Sequence, residues 1–228
     1  MFNNCISSKQ KESIQLNNGK IGTRVFFSIL LILCLFSYNS IAQKEGNIWF
    51  FGDHAGLDFN SGVAVAINNS AMYQREGCAV ISDTDGQLLF YTNGQLVWNK
   101  IGQPMNEGLL LQGGQSSTQS AIIVKKPGNN TLYYIFTVPD GISDLGLRYT
   151  IIDMSLNNGY GDFLFAGTTT LNAGPTEEKV TAVAHENGTD IWIITHLWNS
   201  DAFYAFLLTE NGIDKDQVII SNTGLFHQ

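Results

Sequence analysis

The sequence predicts an all-β fold, a β-propeller-like array of four-stranded antiparallel blades that is incomplete, with about three to four blades present. Three observations predict it: short apolar segments separated by Gly-containing turns, a strand pattern that recurs along the chain, and no sustained helical periodicity after the N-terminal segment. The 228 residues include 23 glycines but only 4 prolines, and 11% of them are aromatic. This composition is typical of strands joined by tight turns.

Residues 1–42 are predicted to be a secretory signal peptide, and residues 43–228 a partial β-propeller domain. A basic segment precedes the apolar run VFFSILLILCLF at 25–36, and a small-x-small pattern, Ser40-Ile41-Ala42, stands before Gln43. The run is short for a membrane span, so we expect Sec-dependent export with no stable span after cleavage. The predicted location is the periplasm, the cell surface or the medium. A non-cleaved N-terminal anchor is the alternative.

Charge and cysteine content narrow the class of protein. The net charge is −8, and no cluster of cations beyond Lys125-Lys126 follows the N-terminal segment, so we expect no nucleic-acid partner. Cys5 and Cys34 lie in the predicted signal peptide, which leaves Cys78 as the one cysteine of the mature part and rules out a disulfide within it. Cys78 is flanked by apolar residues and is predicted to be a small core residue.

The first elements are short strands. Residues 46–68 predict three of them, with Trp49 and Phe51 on one face of the first. The segments CAVIS (78–82), QLLFYT (87–92) and QLVWNK (95–100) then predict a three-stranded meander. Asn93-Gly94, between the last two, predicts a type I′ turn with positive φ at both residues.

The same pattern returns twice. The predicted later strands lie within residues 120–138, 147–156, 162–167, 180–197, 202–209 and 217–221. Ala79, Ala121 and Ala182 align at the start of the first strand of each unit, and an aromatic-rich second strand follows. A small residue suits innermost strands that crowd around a channel, and the aromatics would fill the space between blades. The longer connection through residues 167–179 widens the second interval.

The number of blades leads to a further expectation. Three clear units and a partial one are fewer than most closed propellers contain, since four to eight blades are typical. Open sheet edges are prone to aggregation. We therefore expect the chain to be the front part of a longer protein or a truncated gene product, with the remaining blades or domains as partners.

Several segments together resemble a known family. GNIWFFGDHAGLDFNSG, EGCAVISDTDGQLLFYTNGQLVWNK, SSTQSAIIVKKPGNNTLYYIFTV and KVTAVAHENGTDIWIITHLWNSDAFYAFLLT are similar to the N-terminal β-propeller region of large Bacteroidota surface proteins. Those proteins often carry PKD-type domains and a gliding-motility-associated C-terminal sorting domain, and the resemblance covers about residues 44–221. It implies Sec export, often followed by type IX secretion, but no activity of any named residue. This sequence has neither kind of further domain, which leaves secretion across the outer membrane open.

The run Asp83-Thr84-Asp85-Gly86 suggests either a calcium loop or a turn. An EF-hand loop that begins at Asp83 needs a closing Glu at its twelfth position, where this chain has Gly94. The sialidase-type Asp box also fails, because Thr84 and Leu89 stand where it needs Asp and Trp. We predict a hairpin turn in which the Asp side chains bind their own backbone.

Other polar residues offer no clear catalytic set. His185 and His196 flank a predicted hairpin, and Asp53 with His54 could add to a metal site, but the usual ligand spacing is absent. The Gly/Ser-rich stretch at 112–120 lacks the pattern of a phosphate loop and is predicted to be a connection. We expect no catalytic, cofactor-binding or metal-binding residues.

The predicted function is a non-enzymatic exported module for adhesion, recognition or scaffolding. Aromatic residues on a propeller rim stack on sugars or bind peptides, so the partner is predicted to be a glycan or a surface protein. The candidate rim residues are Trp198, Asn199, Asp201, His185 and His196. The alternatives are a propeller enzyme of the glycoside hydrolase or lactonase type, and an inactive fragment of a longer surface protein.

Overall fold

A computed structural model describes residues 44–105, 109–141 and 144–226. The chain divides into two units, Met1–Ala42 and Gln43–Gln228, and the fold described here is that of the second. The predicted signal peptide, with Cys5 and Cys34, lies outside the described residues. The strands are β1 Ile48–Phe51, β2 Ala55–Asp58, β3 Val65–Ile67, β4 Ala79–Ser82, β5 Leu88–Thr92, β6 Val97–Asn99, β7 Ala121–Lys125, β8 Leu132–Thr137, β9 Arg148–Asp153, β10 Asp162–Phe163, β11 Thr169–Thr170, β12 Thr176–Ala184, β13 Ile191–Leu197, β14 Ala202–Thr209 and β15 Gly212–Asn222.

These strands form four open antiparallel sheets. Sheet I has the order β1-β2-β3, sheet II β4-β5-β6, sheet III β10-β9-β8-β7 with β11 also on β9, and sheet IV β12-β13-β14-β15. One turn of 3-10 helix at Asn157–Gly159 is the helical element of the described residues. The prediction of an all-β chain of antiparallel sheets is therefore confirmed.

The sheets stack in chain order, because side chains alternate between the two faces of each strand. On β5, Tyr91 packs with Phe50 and Trp98 between sheets I and II. Its neighbour Phe90 packs with Ile135 in the cluster between sheets II and III. A third cluster, which includes Phe136, Ile193 and Phe206, joins sheets III and IV. Sheets II and III thus bury both faces, which explains why their middle strands are apolar on both sides.

The first strands of neighbouring sheets lie side by side. The Ser120 hydroxyl, before β7, donates to Gly77 O, before β4, at 2.6 Å. The backbone N of Gln119 donates to Glu178 O at the start of β12 (3.1 Å). Strands β4, β7 and β12 therefore run in one direction. Strand β1 runs against β4, because Cys78 Sγ at the start of β4 is 3.1 Å from Phe50 O near the end of β1.

The alignment of the three alanines is wrong at its last member. Ala79 pairs with Thr92 and Ala121 with Thr137, whereas Ala182 pairs with Ile193. In sheet IV, Thr195 corresponds to Thr92 and Thr137 of the other two sheets, and its partner on the first strand is Val180. All three threonines are buried, so a small or β-branched residue opposite a buried threonine is the feature that recurs.

The Asn93-Gly94 turn also differs from its prediction. Thr92 pairs with Val97, so the loop has four residues and not two. Only Gly94 has a positive φ, of 83°. Asn93 instead accepts hydrogen bonds at Oδ1 from the backbone N of Gln95 and Leu96. A side chain that caps its own loop replaces the mirror-image turn.

Three strand boundaries depart from the predicted ones. Residues 164–167 are bends, and β9 is flanked by the short strands β10 and β11 instead of one fourth strand. Strand β12 begins at Thr176, within the predicted connection, and β15 is longer than residues 217–221. Cys78 is half-buried, and burial raises the pKa of its thiol, as expected for a packing residue.

Candidate functional site

One edge of the stack carries a continuous set of loops, which we call the upper rim: residues 52–54, 70–77, 93–96, 112–120, 138–141 and 198–201. Asp53 bridges to Tyr73, and Asn93 Nδ2 donates to Tyr73 O at 3.4 Å. The Ser120 hydroxyl lies 3.1 Å from Asn93 O. These contacts pass from sheet I to sheet III, so the loops of successive sheets form one surface.

Glu178 connects the upper rim of sheet III to sheet IV. Its Oε2 accepts hydrogen bonds from the backbone N and the hydroxyl of Thr118, at 3.0 and 3.1 Å. Its Oε1 accepts the backbone N–H of Gly141 at 2.8 Å. Desolvation raises the pKa of this carboxyl, but the three hydrogen bonds and the charge of Lys179 together lower it by more, so the pKa lies below its ordinary value of 4.5. The sequence analysis missed Glu178, because its partners lie far away in the chain.

The Gly/Ser-rich stretch at 112–120 is a connection, as predicted, but a closely packed one. Gly113, Gly114, Ser117 and Ser120 are all buried. A Cβ at Gly114 would lie 2.3 Å from the backbone N of Asp140. Small residues are therefore needed for close approach of two loops, and a phosphate loop is not needed to explain them.

The Asp83-Thr84-Asp85-Gly86 segment is a hairpin turn at the opposite edge of the stack, the lower rim. Asp83 Oδ1 accepts the backbone N of Asp85 and of Gln87, both at 2.9 Å. The carboxylate is thus used within its own turn, as predicted.

A second turn in the same sheet has the same geometry. Asn99 Oδ1 accepts the backbone N of Ile101 and of Gln103, at 3.1 and 3.0 Å. The backbone bonds from Gly86 N to Asp83 O and from Gly102 N to Asn99 O also correspond, at 3.0 and 2.9 Å. In this second turn Ile101 takes the place of Asp85. A turn that forms equally well with an apolar residue there does not depend on a cation.

The two candidate histidines lie at opposite ends of β13. On the lower rim, His185 Nδ1 accepts the backbone N–H of Asn187 at 3.1 Å, and its ring is 5.5 Å from Trp192. His196 is buried, and its ring centroid lies 4.5 Å from that of Phe203 in an edge-to-face arrangement. About five residues of strand at roughly 3.3 Å each separate the pair, so the structure does not bring them together.

Asp53 and His54 form a separate pair on the upper rim of sheet I. Asp53 Oδ1 is 3.4 Å from His54 Nε2, and both side chains are exposed. His54 Nδ1 lies 2.7 Å from Ser70 O. Across residues 44–105, 109–141 and 144–226, no three His, Cys, Asp or Glu side chains group as a metal site would require.

The Trp198–Asp201 segment is a tight turn at the upper rim of sheet IV. Asn199 has a φ of 50°, which Asn tolerates better than most residues. Asp201 accepts the Nδ2 of Asn222 at 2.8 Å and, through its backbone O, the N of Thr223. Asp201 therefore anchors the end of β15, and Trp198 is half-buried beside it. Of the five candidate rim residues, all but His185 lie at this end of sheet IV.

Comparisons with models of known protein families, with curated proteins and with solved structures found no match for this chain. Among the described residues, no helix combines the length and the apolar character of a membrane span.

Proposed function

We propose that residues 43–228 form the sheets of a β-propeller. The observation that carries this proposal is the position of β4, β7 and β12. These strands are the first of sheets II, III and IV, lie next to one another in chain order and run in the same direction, whereas β1 of sheet I runs antiparallel to β4. The innermost strands of successive propeller blades have this relation. Each sheet also packs face to face on the next one in the chain, with aromatic residues between them.

We further propose that the chain is an exported, non-enzymatic recognition module of a bacterial cell surface. The signal-peptide pattern and the resemblance to Bacteroidota surface proteins support export. The upper rim supports recognition, because it presents Tyr73, which is 54% exposed, and Trp198 next to polar side chains. Aromatic rings beside Asn and Asp are the usual chemistry of a glycan-binding surface, and a protein ligand would use the same rim.

Binding of the full chain to a glycan and protein array tests the recognition proposal. We expect Trp198→Ala and Tyr73→Ala to reduce any signal at least tenfold. Phe165→Ala, which alters an exposed aromatic on the outer edge of sheet III, serves as the matched control and should bind normally. An array without hits, or equal binding by all variants, would remove the recognition proposal.

Export has its own test. The chain should be recovered outside the cytoplasm of a bacterium that expresses it, with Gln43 as its first residue. Recovery of an uncleaved chain in the cytoplasm would contradict this part of the proposal and leave the binding result unaffected.

A further inference from the structure

Four Asn-Gly dipeptides lie at turns within the described residues, and this dipeptide is able to modify itself. The backbone nitrogen of the glycine attacks Cγ of the asparagine side chain, and ammonia leaves. Water then opens the resulting succinimide to aspartate or isoaspartate. Glycine favours the attack because it has no Cβ to hinder its nitrogen. The four asparagines are Asn93, Asn158, Asn187 and Asn211.

Two of these side chains are fixed by hydrogen bonds within their own turns. Asn93 is buried, and its Oδ1 accepts two backbone N–H groups of its loop. Asn187 is exposed, but its Oδ1 accepts the backbone N–H groups of Thr189 and Asp190, both at 3.0 Å. Its Nδ2 also donates to Asp190 Oδ2 at 2.8 Å. Each carboxamide must break these bonds before its Cγ turns towards the glycine nitrogen, so both sites are protected.

The other two side chains are free to rotate. Asn158 and Asn211 are both exposed, and neither carboxamide hydrogen-bonds to any part of the chain that the structure describes. Asn211 makes a hydrogen bond only through its backbone N, which donates to Thr209 Oγ1 at 3.1 Å. Because the dipeptide is the same at all four positions, the difference between the two pairs of sites comes from the folded structure.

The turn at Asn158 is strained as well as exposed. Asn157, Asn158 and Gly159 have φ values of 49°, 53° and 83°, so three successive residues are left-handed. This conformation is unfavourable for residues that carry a Cβ. Gly159 N donates to Leu156 O at 3.0 Å, and residues 155–159 are all exposed. A strained, solvent-exposed turn opens at a lower free energy than a core strand does, and opening releases the glycine nitrogen.

We propose that Asn158 and Asn211 are sites of spontaneous deamidation in the folded protein, whereas Asn93 and Asn187 are protected. Each event exchanges ammonia for water and adds one negative charge. The isoaspartate product also lengthens the backbone by one methylene. At Asn211 this insertion falls in the two-residue turn that joins β14 to β15, so it weakens the pairing of these strands. The proposal rests on turn geometry and not on a ligand, so its failure would leave the recognition test unaffected.

Peptide mapping by mass spectrometry, during storage of the full chain at mildly alkaline pH, tests the proposal. All four sites are followed in one sample. We expect Asn158 and Asn211 to react at least roughly tenfold faster than Asn187, because several hydrogen bonds must break at Asn187. The same chain in concentrated urea is the control, and there the four rates should converge. Equal rates in the folded chain, or unreactive Asn158 and Asn211 in a chain that reacts in urea, would overturn the proposal.

Two variants separate the chemistry from the protection. Gly159→Ala should slow the reaction at Asn158, because a Cβ hinders the attacking nitrogen, and Asn211 in the same chain should react as before. Asp190→Ala removes the acceptor of Asn187 Nδ2 and should speed the reaction at Asn187 several-fold. An unchanged rate at Asn158 in the first variant, or at Asn187 in the second, would contradict the mechanism. Circular dichroism of each variant verifies that it is folded.

Discussion

Replacement of Glu178 by Gln should destabilise the domain, because the carboxylate accepts three hydrogen bonds from two loops. Gln keeps one acceptor oxygen and puts an amide N–H₂ group against the donors that faced the other. Charge-assisted hydrogen bonds contribute about 1.5–3 kcal/mol each, and partial exposure to water puts this site at the low end. We expect a loss of about 1.5–3 kcal/mol, or roughly 3–12 °C in Tm for a domain of this size.

The pH dependence gives the same prediction a second, independent readout. The folded pKa of Glu178 lies below its ordinary value of 4.5, so its stabilising effect is fully present above that value. The effect is lost as the pH falls through the lower, folded pKa. The difference in Tm between wild type and Glu178→Gln should therefore be constant from pH 7 to about 5 and shrink towards pH 3.

Thermal unfolding followed by circular dichroism measures both quantities. Glu177→Gln is the control, because it makes the same substitution at the preceding residue, and it should shift Tm by less than about 2 °C. Equal Tm values of wild type and Glu178→Gln at pH 7, or a difference that persists undiminished at pH 3, would refute the account of Glu178.

Three further predictions concern turns and buried threonines. In a urea titration, Thr195→Val should lower the free energy of unfolding by about 1–2 kcal/mol, because the Thr195 hydroxyl donates a hydrogen bond to Lys179 O at 2.9 Å. Thr137→Val should leave the free energy of unfolding unchanged or raise it, because the buried Thr137 hydroxyl has no hydrogen-bond partner. Gly94→Ala should lower the free energy of unfolding by about 2 kcal/mol or more, because Gly94 has a positive φ and a Cβ there would lie 2.7 Å from Ser120 Oγ. Gly62→Ala is the control: Gly62 also has a positive φ but lies in open space, so its loss of stability measures the backbone strain without the steric clash. Asp83→Ala should lower the free energy of unfolding by about 1 kcal/mol, and Asp85→Ala should lower it by less than about 0.5 kcal/mol. A millimolar excess of calcium should not raise the Tm of the wild type, and a rise of several degrees would restore the calcium hypothesis.

Local features of this fold were predictable because they depend on neighbours in the chain. The Asp83 turn needs only its own carboxylate, the following N–H groups and a glycine, and the sequence contains all three. The short apolar run of β5 likewise predicted a strand of a meander, and β4, β5 and β6 do form one sheet. Asn93-Gly94 was misjudged because an Asn side chain can cap a four-residue loop as well as enter a two-residue one.

Long-range features were not predictable in the same way. The register of β12 depends on an irregularity between Thr176 and Val180, which shifts Ala182 by two residues relative to Ala121. Glu178 gains its role from Thr118 and Gly141, whose proximity only the stacked sheets establish.

The stacking in chain order also determines how the domain should come apart. Each sheet depends only on its immediate neighbours, so the free energy of local opening should rise from the two ends of the stack towards its middle. Amide hydrogens of β5 and β8 should exchange most slowly, and those of β2 and β14 much faster.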